Sequence, residues 1–210
     1  ALECAGDVDG NASSKMHMES REAGTANQKS EILLFLTDGL TALRRKSLLE
    51  LADWALYDQV AIAAPKYEEE NRVIREMGIA LTTDGPASMF EGCFTDGTTD
   101  CGKNYWYRDV TAVDDHCFAI RRELFGQVGG FFQREEPTFE ISGSDLWMFD
   151  FCLRLRALGY RHMVSPYAPM RLNTGGRKTM MCKQIKTRVS EKTWKIFCEK
   201  YGIGEQDPYY

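Results

Sequence analysis

The sequence predicts an α/β fold, on the evidence of two short apolar runs and an amphipathic stretch between them. Ile32–Leu36 and residues 60–64 are apolar throughout and are followed by turn-forming residues or proline, as is typical of buried strands. Between them, apolar residues recur from Leu48 at i, i+3, i+4 and i+7, which predicts a helix over residues 41–57. A helix between two apolar strands indicates a βαβ unit, so we expect the two strands to form a parallel pair.

The rest of the chain predicts shorter elements. Residues 66–103 are polar and interrupted by glycines, which indicates an irregular segment with at most a short strand at 79–81. Apolar stretches and helical stripes then recur up to the carboxyl end. We expect strands at 106–113, 117–120 and 160–164, and a helix at 121–128. A second helix should begin at a cap formed by Ser144 and Asp145 and end at Gly159. A third should carry the apolar stripe Trp194, Phe197, Cys198 and Tyr201.

Composition is typical of a globular protein that buries a core. Of the 210 residues, 43% are hydrophobic and 27% are charged, which excludes a disordered or fibrous chain. The formal net charge of −5 argues against a broad surface for nucleic acid. The apolar runs are much shorter than the ~20 residues that span a bilayer, so we expect no transmembrane segment.

Cysteine usage and the first residues predict a cytoplasmic protein, with the inner face of the membrane as a second location. The seven cysteines form an odd set without a CxxC pair, which is typical of reduced, packed thiols. Cys93 and Cys101 bracket a turn-rich loop and could close a disulfide, which a reducing compartment disfavours. Residues 1–9 lack the basic, apolar and small-residue regions of a signal peptide.

Asp38 is the first residue that could carry chemistry. It directly follows the apolar run that predicts the first strand, and open α/β sheets bind ligands where their strands end. A carboxylate there could hold a divalent metal and, through it, a diphosphate. The alternative, about equally supported, is that Asp38 caps the helix that is expected to begin near residue 41.

Asp114, Asp115 and His116 place three titratable groups between two predicted strands. Two carboxylates and an imidazole could bind a metal or the hydroxyl groups of a sugar. A polar turn explains the same three residues.

Asp145 and Asp150 flank the start of a predicted helix that also carries Trp147. Either carboxylate could act as a general base beside an aromatic platform. The alternative is structural: Asp145 would cap the helix, and Asp150 would form an ion pair with Arg154 one turn later.

Several segments follow each other in an order known from one family. The run FGQVGGF at 125–131 precedes DFCLRLRALGY at 150–160, and DPYY follows at 207–210. Upstream, Arg21, Gly24 and Glu31 have the spacing of a further motif, and residues 31–38 are similar to the strand that leads into a DxD motif. Taken together, these segments resemble the family 2 glycosyltransferases with the GT-A fold, from about residue 21 to residue 210.

The resemblance implies that a sugar is transferred from a nucleotide-diphosphate donor to a glycan or lipid-linked acceptor, usually with inversion. In this family a carboxylate deprotonates the acceptor hydroxyl, and a divalent metal (Mg²⁺ or Mn²⁺) held by the DxD aspartates neutralises the leaving diphosphate. Carried over to this chain, the resemblance assigns the donor and its metal to Arg21 and Asp38, and the base to Asp145 or Asp150. It assigns the acceptor side to Asp114, Asp115, His116 and Trp147.

Four features depart from the family pattern. Only the middle position of the DxD motif, Asp38, is acidic, since Thr37 and Gly39 occupy the outer positions. The usual position of the base is occupied by Met148, and residues 170–173 lack the histidine that often follows the last strand. No counterpart of the family's first βαβ segments precedes residue 21, so we expect a domain that is incomplete at its amino terminus.

These observations give one leading hypothesis and two alternatives. We expect a loop or linker at 1–20, the later part of a GT-A-like core with a mixed sheet flanked by helices at 21–176, and a helical segment at 177–210. The leading hypothesis is a glycosyltransferase domain of bacterial surface-polysaccharide synthesis. The first alternative is a non-catalytic module that binds glycan or a partner enzyme, which the departures favour. The second, weaker alternative is a metal-dependent hydrolase built on residues 114–116.

Overall fold

The computed structural model describes residues 3–4, 31–131, 145–173 and 181–209. Within them the chain forms a mixed sheet with helices on both faces, which confirms the predicted α/β class. The strands are Glu3–Cys4 (β1), Ile32–Leu36 (β2), Leu40–Ala42 (β3), Val60–Glu68 (β4), Ile74–Glu76 (β5), Ile79–Thr82 (β6), Gly85–Ser88 (β7), Arg108–Val110 (β8), Cys117–Arg121 (β9) and Arg161–Leu172 (β10). The helices are Ser47–Ala55 (α1), Arg122–Gln127 (α2), Trp147–Ala157 (α3), Met181–Arg188 (α4) and Glu191–Tyr201 (α5).

The main sheet has eight strands among the described residues, in the order β1-β2-β9-β4-β10-β3. Strand β5 adds to β4 and β8 adds to β10, while β6 and β7 form a separate hairpin. Strands β4 and β10 are parallel, whereas β9 is antiparallel to both of its neighbours.

The first two apolar strands do not pair directly with each other, so the expectation of a parallel pair is wrong in this respect. Strands β2 and β4 do run in the same direction, but β9 lies between them and hydrogen-bonds to both. A crossover helix constrains the direction and hand of two strands and does not prevent a later segment from entering the gap. Strand β9 is apolar and wholly buried up to Ile120, as an interior position in a sheet requires.

Helix α1 is shorter than expected at its amino end. Leu40–Ala42 forms β3, which pairs with the end of β10, so the helix begins only at Ser47. Its cap position is Lys46, without a side-chain hydrogen bond, and Asp38 therefore does not cap it. Helix α3 begins at Trp147 after Leu146, so the expected cap by Asp145 is also wrong.

Residues 66–103 contain more regular structure than expected. Strand β4 continues to Glu68, β5 pairs with its end, and the β6–β7 hairpin follows. The apolar pattern there is short and broken by glycines, and pairing with β4 stabilises β5 where local sequence does not.

The sheet is buried on both faces. Ile62 and Phe118 belong to one core cluster, whereas their strand neighbours Ala63 and Cys117 belong to the other, as the alternation of side chains along a strand requires. Helix α1 covers the second cluster through Leu51. The first cluster is covered by residues of α2, α3, α4 and α5.

Asp207, the first residue of the DPYY segment, packs against the β6–β7 hairpin. A carboxylate oxygen of Asp207 accepts a hydrogen bond from the backbone N–H of Leu81 at 2.7 Å, and Asp207 is only 5% exposed. The indole of Trp194 in α5 donates to the carbonyl groups of Thr82 and Thr83. This part of the resemblance therefore has a structural role in the chain.

Two further expectations concern cysteines and membrane segments. Cys93 and Cys101 are both free, so the disulfide is not formed. Among the described residues, no helix has the length and apolar character needed to cross a bilayer.

His162 is fully buried in β10. Its Nε2–H donates to the carbonyl of Cys152 at 2.9 Å, and its Nδ1 has no hydrogen-bond partner in the part of the chain that the structure describes. Burial lowers the pKa of His162 to about 4, since a charged imidazole would lose its water without gaining an anionic partner.

This histidine should make the fold acid-sensitive. Between about pH 6.5 and pH 4, the unfolded chain binds a proton at His162 that the folded chain does not, so the free energy of unfolding falls as the pH falls. Between about pH 6.5 and pH 5 we expect His162 to lower the free energy of unfolding by about 2 kcal/mol. Urea unfolding of the wild type and of His162→Gln at both pH values measures it. Equal losses in the two proteins would contradict the assignment.

Candidate functional site

The structure brings two of the sequence motifs to one end of the sheet. Because β2 and β9 are antiparallel, the end of β2 lies beside the start of β9, and Leu36 pairs with Cys117. The backbone N–H of Thr37 donates to the carbonyl of His116 at 2.8 Å. Asp38, which is exposed in the following turn, therefore lies close to the segment of residues 114–116.

The turn that carries Asp38 explains one departure from the DxD pattern. Gly39 has φ +81°, a conformation that favours glycine, and a Cβ there would lie 3.1 Å from the carbonyl oxygen of Asn173. The carbonyl of Gly39 also accepts a hydrogen bond from the Asn173 N–H at 2.7 Å. An aspartate at position 39 would strain this turn, so a second carboxylate does not fit there.

Asp114, Asp115 and His116 form a compact group, here called the acidic cluster. The backbone N–H of His116 donates to the Asp114 carboxylate at 3.0 Å, and the His116 ring Nδ1 contacts the same carboxylate. Nδ1 also lies 3.3 Å from the Asp115 carboxylate. Asp114 and His116 are buried, whereas the Asp115 side chain keeps 25% of its surface exposed. Asp115 is thus the member of the cluster that a ligand reaches first.

Glu76 adds a carboxylate that the sequence analysis missed. It lies in β5 opposite Tyr67 and is only 1% exposed. One oxygen accepts a hydrogen bond from the Ser88 hydroxyl at 3.2 Å, and the other, Oε1, has no hydrogen-bond partner among the described residues. The only available signal was an acidic residue beside a predicted strand, which is too common to single out Glu76.

Burial and mutual repulsion raise the pKa values of these carboxyl groups. Loss of water, followed by the charge of Asp114, raises the pKa of Glu76 well above its usual range. The same two causes raise the pKa of Asp115 to about 7, although the nearby imidazole lowers it. Buried negative charge of this kind favours an added cation.

The acidic cluster fits a hard divalent cation. The ligand atoms of its three residues lie within 4.8 Å of one another. Carboxylate oxygens and one imidazole suit Mg²⁺ or Mn²⁺, and the unpartnered Glu76 Oε1 is a further buried acceptor near Asp114. Asp38 is not part of any such group among the described residues.

Asp150 is held by three partners in the structure. Its carboxylate accepts from Arg154 Nε at 2.8 Å, from Lys200 Nζ at 3.2 Å and from the Tyr201 hydroxyl. The ion pair with Arg154, the structural alternative for Asp150, is therefore present. The guanidinium of Arg154 also donates to the carbonyl of Val128, so the network ties α3 to the end of α2 and to α5.

The other two predicted residues of this segment are both half-buried. Asp145 keeps 39% of its side-chain surface exposed, and its one ion pair among the described residues is long, 3.6 Å to Arg188. Trp147 packs edge-on against Phe131, with ring centroids 4.9 Å apart, and is partly buried against the core. Met148, at the position of the family's base, is completely buried. Arg21 lies outside the described residues.

Comparison with known proteins gives distant relatives. No model of a known protein family matches the sequence. The O-antigen biosynthesis protein RfbC of Myxococcus xanthus is 29% identical over 133 residues, which are 62% of this chain and 10% of that protein. The uncharacterized protein y4gI of Sinorhizobium fredii is 26% identical over 152 residues, 70% of this chain and 16% of that protein. The chain thus spans a small part of both relatives.

Two solved structures have weak similarity to this chain. A crystal structure of GalNAc-T7 with UDP, GalNAc and Mn²⁺ aligns with 83% of this chain and 39% of its own, at 11% identity and a TM-score of 0.46. The A197 protein from STIV aligns with 71% of this chain and 69% of its own, at 13% identity and a TM-score of 0.34. At these scores the two structures support no inference about the site.

The Asp150 network should contribute to stability, in contrast to Asp145. We expect Asp150→Asn to lower the free energy of unfolding by about 1–3 kcal/mol, because Arg154 and Lys200 lose a largely buried anionic partner. Asp145→Asn, which removes an exposed pair, should change it by less than about 0.5 kcal/mol. Chemical denaturation of both variants measures the difference, and equal effects would contradict the contrast.

Metal binding by the acidic cluster is directly measurable. Free Mn²⁺ gives a paramagnetic resonance signal that decreases as the ion binds protein. We expect the chain to bind Mn²⁺, and Asp114→Asn or Asp115→Asn to weaken binding roughly tenfold or more, because each removes a charged ligand. Asp58→Asn, at an exposed aspartate, is the control. Absence of binding by the wild type would exclude the site.

Proposed function

We propose that the chain is a glycosyltransferase domain that transfers a sugar from a nucleotide-diphosphate sugar to a glycan or lipid-linked acceptor. The observation that carries the proposal is the juxtaposition of Asp38 and the acidic cluster at the end of β2, where Thr37 N–H donates to the His116 carbonyl. The similarity to an O-antigen biosynthesis protein supports polysaccharide assembly as the setting. A lipid-linked acceptor would bring the domain to the inner face of the membrane.

The residues at this end of the sheet suit a donor diphosphate. A divalent ion held by Asp114, Asp115 and His116 would supply positive charge to the leaving diphosphate. Asp38, exposed in the adjacent turn, would contact the metal-bound diphosphate, and Arg21 would bind the donor. In this role the acidic cluster serves the donor, not the acceptor side that the resemblance implies for it, and Trp147 would line the acceptor side.

A base is needed to remove the proton of the acceptor hydroxyl, and Asp145 suits this role better than Asp150. The Asp150 carboxylate is neutralised by Arg154 and Lys200 at hydrogen-bond distance. Both of its oxygens accept hydrogen bonds, one from Arg154 and the other from Lys200 and Tyr201, so neither is open to an acceptor hydroxyl. Among the residues that the structure describes, the one ion pair of Asp145 is the long contact with Arg188, and 39% of its side-chain surface is open to an incoming hydroxyl.

A non-catalytic module that binds glycan or a partner enzyme is the second candidate. Met148 favours it, because this residue occupies the family's base position and is completely buried. A thioether cannot accept the acceptor's proton. In such a module the acidic cluster would bind a ligand without promoting transfer.

Turnover separates the two candidates. If the chain is a transferase, it should release nucleoside diphosphate from at least one common sugar donor with Mn²⁺ and an oligosaccharide acceptor. We expect Asp145→Asn to lower kcat about a hundredfold or more, the usual contribution of a general base. Asp150→Asn, assayed well below its unfolding temperature, should retain most of the turnover.

Calorimetry with the same donors gives the complementary result. Donor binding without turnover would reject the transferase proposal and leave the binding module. Unchanged turnover in Asp145→Asn would show that Asp145 is not the base. Neither binding nor turnover with any donor would likewise reject the transferase proposal, since a transferase must bind its donor.

A further inference from the structure

A second site lies where the ends of β4 and β10 meet the segment before α1. A pocket of about 350 Å³ opens there, and Lys66, which lines it, is the strand neighbour of Tyr67, a residue that contacts the acidic cluster. We refer to it as the basic pocket, and its charged and aromatic lining residues are Arg44, Lys66, Glu68, Arg72, Tyr105 and Tyr167. Its volume lies at the lower end of the range for small-molecule sites, roughly 300–1,000 Å³.

The charge of the basic pocket is opposite to that of the whole chain. Three cations and one carboxylate line it, although the formal net charge of the protein is −5. Lys66 is only 3% exposed, and its ammonium group lies 3.0 Å from the Glu68 carboxylate. Arg44 and Arg72 are exposed at the rim. One carboxylate cannot neutralise three cations, so the pocket attracts an anion.

Two tyrosines give the pocket flat apolar walls. The Lys66 ammonium lies 5.8 Å from the centroid of the Tyr105 ring, and the Arg44 guanidinium lies 5.8 Å from that of Tyr167. Both tyrosines are 42% exposed. A ring of this kind offers a face on which a sugar or another flat apolar surface can rest.

The Tyr167 wall is held in place by a hydrogen-bond network centred on Glu50. One Glu50 oxygen accepts from the Tyr107 hydroxyl at 2.9 Å, the Ser165 hydroxyl at 2.9 Å and the Trp54 indole at 3.0 Å. The Tyr107 ring contacts Tyr167 edge-on at 5.3 Å, and the Tyr167 N–H donates to the Ser165 hydroxyl oxygen. A wall fixed in this way loses little conformational entropy on binding.

We propose that the basic pocket binds an anionic sugar, a hexose that carries a carboxylate or a phosphate group. The cations Arg44, Lys66 and Arg72 recognise the charge, and Tyr105 and Tyr167 contact the ring. That the ligand is a saccharide rests on the proposed function, whereas the anion preference rests on the pocket alone. In a transferase, this sugar would belong to the acceptor glycan.

Binding of four small probes to the whole chain tests the proposal without an activity assay. We expect glucuronate and glucose 6-phosphate to bind at least about tenfold more tightly than glucose and to bind more weakly at high salt. Inorganic phosphate should bind more weakly than glucose 6-phosphate, because it lacks the ring that the tyrosines contact. Calorimetry or chemical-shift titration measures all four.

Three variants assign the binding to the pocket. Arg44→Gln combined with Arg72→Gln should weaken the binding of both anionic sugars about tenfold or more. Arg45→Gln, at the exposed neighbouring arginine, should leave their binding unchanged. Tyr167→Ala should weaken the binding of glucose 6-phosphate and leave that of phosphate unchanged. Circular dichroism confirms that each variant is folded.

Each outcome decides one part of the proposal. Equal binding of glucose and the anionic sugars would overturn it. A loss of affinity in Arg45→Gln equal to that in the Arg44→Gln, Arg72→Gln double variant would overturn it as well. Equal binding of phosphate and glucose 6-phosphate would overturn the saccharide part and leave an anion site. Anionic-sugar binding in a protein without turnover would reject the transferase proposal while supporting the pocket.

Discussion

The antiparallel insertion of β9 between β2 and β4 is the constraint on which the candidate site depends. An interior strand hydrogen-bonds on both edges and is buried on both faces, so its register is set by two partners at once. A shift of one residue would move Phe118 and Ile120 from one core cluster to the other. The same register places His116 beside Thr37, and thereby brings Asp38 and the acidic cluster together.

The carboxylates of the chain have two different electrostatic environments. Asp150 lies among cations and joins α2, α3 and α5, so its charge supports packing. Glu76, Asp114 and Asp115 lie together near the sheet end, where burial and mutual repulsion raise the pKa values of Glu76 and Asp115. An excess of buried negative charge is costly for folding and favours binding of a cation, and for this reason we place the proposed metal at this group.

Opposite charges are thus separated over a short distance at one end of the fold. The acidic cluster suits a metal ion with a donor diphosphate, and the basic pocket suits an anionic sugar. Lys66 and Tyr67 connect the two because they are consecutive residues of β4. A domain with a net charge of −5 can bind two anionic ligands in this way, since each contact is local.

The sequence alone determined the fold class and the positions of several elements. Apolar runs and helical stripes report burial directly, and for this reason β2, β4, β9, α2, α3 and α5 were predicted close to their observed positions. Motif order also pointed to Asp38, the acidic cluster and the segment of Asp145 and Asp150. The pairing of β9 with β2 and β4 was not predictable, because strand partners far apart in sequence are selected by the tertiary core. Strands β3 and β5 were missed for the same reason, since they are short and are stabilised by β10 and β4.

Only the tertiary structure decided the environment of each carboxylate. In sequence, Asp145 and Asp150 are equivalent acidic residues, whereas the fold leaves the first half-buried beside Arg188 and surrounds the second with Arg154, Lys200 and Tyr201. Glu76 had no specific signal in sequence and the basic pocket had none, because the residues that surround each come from separate strands and loops. Burial and the distance between charges control the pKa of a carboxylate and its affinity for a ligand, and both quantities exist only once the chain has folded.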